Sequence, residues 1–283
     1  MNISELTQIL KSHNIRPSRR LGQNFLIDGN ILSLIAESAD IGPRDMILEI
    51  GPGLGILTKE LCKRAQHVLA VEIDSRLARI TKKRLAEFEN LEILNADILK
   101  KKNQLNPDVA QRLEGFGPFK VVANLPYSAA TPFIMNLIKM DQLQTGRMVF
   151  SIQKEVGEKF MADGTEFKAE YPGVVCNTWA KVEWVKHLSS NVFWPRPAIQ
   201  SCVIRMDPKP LPFERKRFAE FCSFVRTGFS MPRKKFTKSL SRILDRDVLE
   251  KALAETGVSA DLRAADISRE QWAALFGYTT CLK

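Results

Sequence analysis

Residues 46–55 read MILEIGPGLG. The apolar run Met46–Ile50 stops abruptly at glycines 51, 53 and 55. A helix-like pattern, Thr58–Arg64, follows. The stretch therefore reads as a buried strand, a glycine turn and a helix. The same alternation continues outward. Val68–Glu72 is a second strand, and Arg76–Glu87 a charged amphipathic helix with Leu77, Ile80, Leu85 and Phe88 near helical spacing. Leu91–Leu94, Phe119–Ala123 and Met148–Gln153 read as further strands. Strands alternating with helices imply an α/β fold, a Rossmann-like parallel sheet covered on both faces. Ligands of such sheets bind beyond the carboxyl ends of the strands.

The stretch KKKNQLNPDVAQRLEGFGPF between the third and fourth strands is polar, with Pro and Gly, and reads as a surface excursion. The pattern changes at DPKPLPFERKR, from Asp207, which has the prolines of a linker. Beyond it the pattern is helical over Phe213–Thr227, Lys234–Leu244, Arg246–Thr256 and Ser268–Phe276. The expected organisation is a larger α/β domain over 1–207 and a small C-terminal all-helical domain over 208–283.

The chain of 283 residues has room for two domains, and its 45% hydrophobic and 26% charged content is that of a globular protein. No apolar run is long enough to cross a bilayer. The first 20 residues read as a short amphipathic helix and a basic arm, without the apolar core of a signal peptide. A cytoplasmic protein without membrane association is expected. The five cysteines are scattered, with no C-x-x-C pair, and the three histidines lie far apart, so spacing supports neither a metal site nor a disulfide framework. The net charge of +10 favours a polyanionic partner, nucleic acid first. The charge is dense at 16–23 (RPSRRLGQ) and 226–242 (RTGFSMPRKKFTKSLSR).

The glycine loop departs from the dinucleotide pattern. Its last slot holds Ile56, and Pro52 removes a backbone donor, both unfavourable to a pyrophosphate. Gly51 and Gly53 let the backbone approach a ligand closely. Glu72 closes the second strand, where a carboxylate can accept from both ribose hydroxyls. Asp97 follows the third strand, placed to accept from an adenine amine. Asp74 reads as a helix cap or a solvated carboxylate. Either Glu72 or Asp97 alone could equally be a cap. Ending successive strands behind a glycine loop, they favour a ribose-plus-adenine ligand without phosphates, and S-adenosylmethionine fits. As a sulfonium cation it also suits carboxylates and π-faces.

The fourth strand runs into NLPYSAATPF, residues 124–133. Pro126 fixes its own φ and biases Leu125 toward an extended shape. The stiff corner presents the Asn124 amide, the Leu125 and Pro126 carbonyls and the Tyr127 ring. Those parts hold a nucleobase by its amino group.

Four stretches in this order, GQNFL (22–26), EIGPGLG (49–55), NLPY (124–127) and VFWPRPAIQS (192–201), closely resemble the rRNA adenine N6,N6-dimethyltransferases. Within them the chain looks like the small-subunit, 16S-type branch, the RsmA/KsgA family. The likeness spans nearly the whole chain and includes GVSADLRAADISREQWAAL at 257–275, similar to that branch's C-terminal helical tail. One stretch departs from the pattern: YPGVVCNT at 171–178 stands where the family continues to a Tyr-Gly corner and a Ser-Val strand.

The resemblance implies S-adenosylmethionine as cofactor and S-adenosylhomocysteine as product. It implies that Asn24, Leu26, Gly51, Glu72, Asp97 and Asn124 contact cofactor or active site. Without it, Asn24 reads as a turn residue and Leu26 as core. It also implies two adjacent adenosines near the 3′ end of small-subunit rRNA, each dimethylated, during small ribosomal subunit biogenesis; a monomer is expected. The expected reaction is in-line displacement at the methyl carbon by adenine N6. The Asn124 side-chain oxygen and the Leu125 or Pro126 carbonyl would accept the N6 protons. Tyr127 and Phe193 would stack on the two base faces, the plainer reading of both rings being core packing. Arg19, Arg20, Arg226, Arg233, Lys234, Lys235, Lys238 and Arg242 would contact phosphates. The competing readings are a large-subunit rRNA or DNA adenine methyltransferase, and an RNA-binding assembly factor whose methylation is secondary.

Overall fold

The computed structural model describes residues 1–101, 104–126 and 129–281, and the backbone alone at Arg19, Thr280 and Cys281. Seven strands share one sheet: β1 (Met46–Ile50), β2 (His67–Glu72), β3 (Leu91–Asn95), β4 (Phe119–Asn124), β5 (Thr145–Gln153), β6 (Ala180–Leu188) and β7 (Ser201–Pro208). Their order is β3-β2-β1-β4-β5-β7-β6. The neighbours from β3 to β5 are parallel. β7 is antiparallel to β5, with Ser201 opposite Gln153. The sheet is therefore mixed rather than wholly parallel, because the chain turns back after Val192 and inserts β7 between β5 and β6. Successive strands run outward from β1 through β2 to β3 on one side and from β4 to β5 on the other. The carboxyl ends of β1 and β4 thus flank the switch point where such sheets bind ligands.

Helices α1 (Ile3–Ser12), α2 (Gly29–Ser38), α3 (Ile56–Cys62), α4 (Ser75–Arg84), α5 (Pro107–Glu114) and α6 (Ala130–Leu137) accompany this sheet. Ile47, Val68, Val122, Val149 and Val203 are buried with Ile31, Leu32 and Ile35 of α2 and Leu57 and Leu61 of α3. Full burial of each such side chain contributes about 1.5–3 kcal/mol. On the opposite face, Phe150 meets Phe133 of α6 edge-on at 6.4 Å. α1 starts at a capping box between Asn2 and Glu5. Its Leu6 and Leu10 pack with Leu54 of the glycine loop and with Leu77 and Ile80 of α4.

The polar stretch after β3 is more ordered than its composition suggests. Leu99–Lys101 pairs with Gln104–Leu105. The Asn106 side chain then caps α5 by accepting from the Asp108 N–H, with Pro107 at the first turn. Val109, Ala110 and Leu113 form its buried stripe.

The chain divides into two compact units. The first holds 1–137, 142–157 and 183–207; the second holds 138–141, 158–182 and 208–283. Besides 208–283, the second unit takes two segments from earlier in the chain. Arg215 anchors the shorter one, its Nη2 donating to the carbonyls of Ile138 at 2.8 Å and Met140 at 3.3 Å. The longer one contains the stretch that departs from the family pattern. Tyr171–Trp179 is a helix, with Pro172 in its first turn and Gly173 to Trp179 buried. A side chain at 173 would lie 2.1 Å from the Ala162 carbonyl oxygen, so only glycine permits this approach. The second unit's core is aromatic: Trp272 meets Phe224 edge-on at 5.9 Å, and Phe221 meets Phe276 at 5.5 Å.

Candidate active site

The end of β1 opens a cavity of about 500 Å³ in the first unit. The structure brings Gly51, Gly53, Glu72 and Asp97 onto its wall, and Asn24, Leu26, Asn124 and Pro126 as well. Each of the first four stands at or just past the carboxyl end of a strand of one sheet, so the sheet delivers them to the same edge. Asn24 and Leu26 arrive differently. Phe25–Leu26 pairs antiparallel with Phe193–Trp194, matching Leu26 to Phe193. Two of the four sequence stretches therefore form one ribbon, which carries residues 20–26 to the cavity.

Gly53 sits at φ +60°, and a Cβ there would lie 3.0 Å from the Phe25 ring. Its N–H donates to Glu72 Oε2 at 3.0 Å, and its carbonyl accepts from Thr81 Oγ1 at 2.6 Å. Glu72 Oε1 accepts from the Asp74 N–H at 2.9 Å. Glu72 is only 4% exposed. Burial raises its pKa, and the bonds from Asp74 and Gly53 oppose that rise. Asp74 caps α4 as expected, accepting from the Arg76 N–H at 3.0 Å. The Arg76 side chain, bonded to it, holds Asp74 down at about 2. Asp74 Oδ2 also accepts from Gln23 Nε2 at 3.3 Å, and Gln23 Oε1 accepts from the Ser18 N–H at 2.7 Å. Gln23 thus latches the arm to the start of α4, a role nothing in its sequence context signals.

Asp97 is exposed and accepts from the Leu99 N–H through Oδ1 at 2.9 Å. Two apolar residues, Ile73 and Ile98, line the same wall. Ile73 is 44% exposed between two buried carboxylates. An exposed isoleucine between Glu72 and Asp74 is the sequence signal for a flat apolar ligand surface.

At the other side of the cavity, Asn124 Nδ2 donates to the Asn24 carbonyl at 3.0 Å. That bond turns the amide so that Oδ1 is its accepting end. Leu125 is buried, and its N–H donates to the Ser151 carbonyl at 3.0 Å. The Pro126 carbonyl accepts from the Ala129 N–H at 3.0 Å. Among the described residues no backbone bond reaches the Leu125 carbonyl. Tyr127 lies outside the described residues. Phe193 is 3% exposed within the cluster that holds Leu26, Leu188 and Val203, and is not on the cavity wall.

Glu49 also lines the cavity while 2% exposed. Its Oε2 and the hydroxyl of Thr58 have no partner at hydrogen-bond geometry. Burial pushes the carboxyl up to about 8, opposed by the neighbouring Thr58 hydroxyl and reinforced by Glu72.

A cavity of this size suits a nucleoside carrying an amino-acid side chain. Its two buried carboxyls and its lack of a Lys or Arg among the glycines suit a cationic ligand without phosphates. The model for ribosomal RNA adenine dimethylase matches residues 13–280. The chain belongs to the ribosomal RNA adenine dimethylase family. It is accordingly a methyltransferase of the S-adenosylmethionine-dependent kind. Among dimethylase relatives, it is 36% identical to ribosomal RNA small subunit methyltransferase A of Bacillus cytotoxicus over 277 residues, 94% of this chain and 92% of that one. It is 33% identical to the protein of the same name from Alkaliphilus metalliredigens, over 96% of this chain and 95% of that one. Its fold is similar to a dimethyladenosine transferase from Plasmodium falciparum, with TM-score 0.72 and 25% identity over 90% of this chain and 98% of that one. It is also similar to the 23S rRNA methyltransferase ErmE, with TM-score 0.67 and 28% identity over 91% of this chain and 100% of that one.

The basic residues singled out in the sequence fall in both units. Arg20 is exposed on the first and also lines the cavity; the Arg19 side chain lies outside those described. Arg226, Arg233, Lys234, Lys235, Lys238 and Arg242 are all exposed on the second. Lys235 pairs there with Asp261. Among the described residues, no helix is long and apolar enough to cross a membrane.

Proposed function

We propose that the chain transfers methyl groups from S-adenosylmethionine to N6 of two adjacent adenosines near the 3′ end of small-subunit rRNA, two to each base. Its substrate is a small ribosomal subunit precursor in the cytoplasm, and it works as a monomer. The observation that carries this reading is the corner at 124–126, whose Asn124 amide is oriented by Asn24 on the wall of the cavity that also holds Glu72 and Asp97.

Bound S-adenosylmethionine supplies a methyl group activated by its sulfonium. Glu72 accepts from the ribose hydroxyls, Asp97 from the cofactor's adenine amine, and Gly51, Asn24 and Leu26 shape the pocket around it. Asn124 Oδ1 and the Leu125 carbonyl accept the two N6 protons of the target base. Of the two carbonyls in the corner, that of Pro126 already accepts from Ala129. Two acceptors favour a tetrahedral nitrogen with its lone pair aimed at the methyl. This is positioning and electrostatic preorganisation rather than strong-base catalysis. Tyr127 stacks on one face of the base. Phe193, paired in register with Leu26 of the cavity wall, takes the other. The target base is splayed out of its stack to enter. On the first transfer the cofactor's C–S bond breaks, S-adenosylhomocysteine leaves and N6 sheds one proton to solvent; N6 then keeps one proton, so one acceptor suffices and the other side must admit a methyl. Arg19, Arg20 and the exposed cations of the second unit position phosphates.

Relatives named for the small subunit are 33% and 36% identical over more than nine tenths of both chains, against 28% for the 23S rRNA methyltransferase ErmE, which favours the small subunit. The test is mass spectrometry of rRNA nucleosides after incubating the protein and S-adenosylmethionine with unmethylated small subunits. N6,N6-dimethyladenosine, lost in Asn124→Ala, is expected. Its absence there, with its appearance in large-subunit rRNA, would overturn the assignment.

A further inference from the structure

The polar stretch after β3 borders the cavity, yet the proposed function gives it no role. Its first part is a pinned structure rather than a loose excursion. Leu99–Lys101 pairs with Gln104–Leu105. Below this pairing the Leu99 N–H donates to Asp97 Oδ1, the Asn106 N–H to the Ile98 carbonyl and Asn106 Nδ2 to the Asp97 carbonyl, each at 2.9 Å. Lys100 and Lys101 are both exposed, and both line the cavity. Arg20, exposed on the arm, reaches the same cavity from a distant part of the chain. Among the described residues none of these three cations makes an ion pair, although the exposed Asp97 stands close by. The cavity thus carries buried carboxyls on its inner wall, at Glu49 and Glu72, and unpaired cations at its mouth. A cationic ligand gains from the first set and is repelled by the second. On the cofactor reading Asp97 marks the adenosine end, so the lysines that follow it stand away from the ligand's carboxylate. They serve another anion.

We infer that Arg20, Lys100 and Lys101 seat the phosphates of the rRNA strand that delivers the target adenine, so that bound RNA lies across the mouth and hinders cofactor exit. This deepens the proposed function and rests on its cofactor and RNA readings. A base splayed into the Asn124 corner stays tethered to its backbone. That backbone has to cross the mouth of the cavity the base has entered, and its phosphates are the anions present there in every turnover. Contacts of this kind position the strand without reading its sequence. The bonds at 97–106 fix the backbone that carries both lysines before RNA arrives, which lowers the ordering cost of the contact. All three charges are exposed, so their contribution is sensitive to salt.

The test titrates the full chain with unmethylated small ribosomal subunits over a salt series. Lys100→Gln combined with Lys101→Gln is expected to lower the log–log salt slope by about 0.7–0.9 per lost phosphate contact. Lys82 and Lys83 on α4 are exposed and off the cavity wall, so neutralising that pair is the charge-matched control and should leave the slope unchanged. Affinity for S-adenosylhomocysteine without RNA should stay within about twofold in both double variants, because exposed charges are screened. Release of S-adenosylhomocysteine from the unaltered protein should slow about fivefold or more when small subunits are bound. That slowing should shrink when Lys100 and Lys101 are neutralised. An equal drop in slope for both pairs would reduce the effect to net charge and overturn the inference. So would an unchanged slope for the cavity pair, or release that bound subunits do not slow. Weakened S-adenosylhomocysteine binding in the cavity pair would assign these lysines to the cofactor's carboxylate and overturn it too. Failure of the unaltered protein to bind S-adenosylhomocysteine would instead overturn the cofactor reading, and failure to bind small subunits the RNA reading.

Discussion

The side-chain amide of Asn124 donates to the main-chain carbonyl of Asn24 across 3.0 Å and 100 residues of sequence. One residue ends a central strand, and the other precedes the ribbon formed with Phe193–Trp194. The bond uses the amide's donor and leaves its acceptor for the base. Asn124→Ala is expected to lower single-turnover methyl transfer about 10²- to 10³-fold, the scale of losing one preorganised polar group. Asn124→Asp is expected to fare no better, because a carboxylate cannot donate to the Asn24 carbonyl and would repel it. Both variants should speed hydrogen exchange at residues 20–26. Normal transfer by Asn124→Asp would mean that the Asn24 contact is incidental.

A second expectation concerns stability without ligand. Glu49 titrates at 4.5 in its unperturbed state and at about 8 when folded. The folded chain therefore holds a proton that the unfolded chain has lost. That contribution is complete below pH 4.5, declines as pH rises through the window, and is gone above about 8. Its size is on the order of a few kcal/mol. Glu72 shifts in the same direction. Glu49→Gln cannot ionise, so its urea midpoint should fall less between pH 5 and pH 8.5 than that of the unaltered protein. Identical falls in the two proteins would place the titration elsewhere.

The exposed cations of the second unit yield a prediction with internal contrast. Lys234 and Lys238 are exposed, whereas Lys235 already faces Asp261. Neutralising Lys234 and Lys238 together should weaken rRNA binding and flatten its salt dependence, by about 0.7–0.9 in log–log slope per lost phosphate contact. Lys235→Gln should change the slope less. Cofactor binding should be unaltered in both variants. Filter-binding titrations over a salt series would read this directly, and an unchanged slope would remove the cluster from the interface.

Much of the fold and part of the site were legible because strands announce themselves by apolar runs. Gly51, Glu72, Asp97 and Asn124 each stand where such a run ends, so periodicity alone brought them to one edge. Asn24 and Leu26 were not legible that way. Their position depends on a two-residue ribbon with 193–194, far too short for a pattern. Glu49 was hidden for a different reason. It lies inside an apolar run, and only burial without a partner distinguishes it. The helix α5 was masked by its polar face, although Asn106-Pro107 is a capping signal. The helix at 171–179 was masked by Pro172-Gly173, which reads as a turn. There proline occupies the first turn of the helix, and glycine meets a backbone carbonyl.

Phe193 combines two roles that a single truncation cannot separate. It is 3% exposed in the core cluster with Leu26. Its proposed role is to cover one face of the target adenine. Phe193→Ala removes core volume at about 3–5 kcal/mol and would impair transfer whether or not the ring touches the base. Phe193→Leu keeps most of the volume, at a cost of about 1–2 kcal/mol, but removes the aromatic face. Base–aromatic stacking is worth about 1–3 kcal/mol, or roughly a 5- to 150-fold change in rate. Phe193→Leu should therefore transfer methyl groups at least fivefold more slowly while its thermal unfolding stays near that of the unaltered protein. S-adenosylhomocysteine affinity should hold, since the lost contact is with RNA. Unimpaired transfer by this variant would leave Phe193 as the packing partner of Leu26 and nothing more.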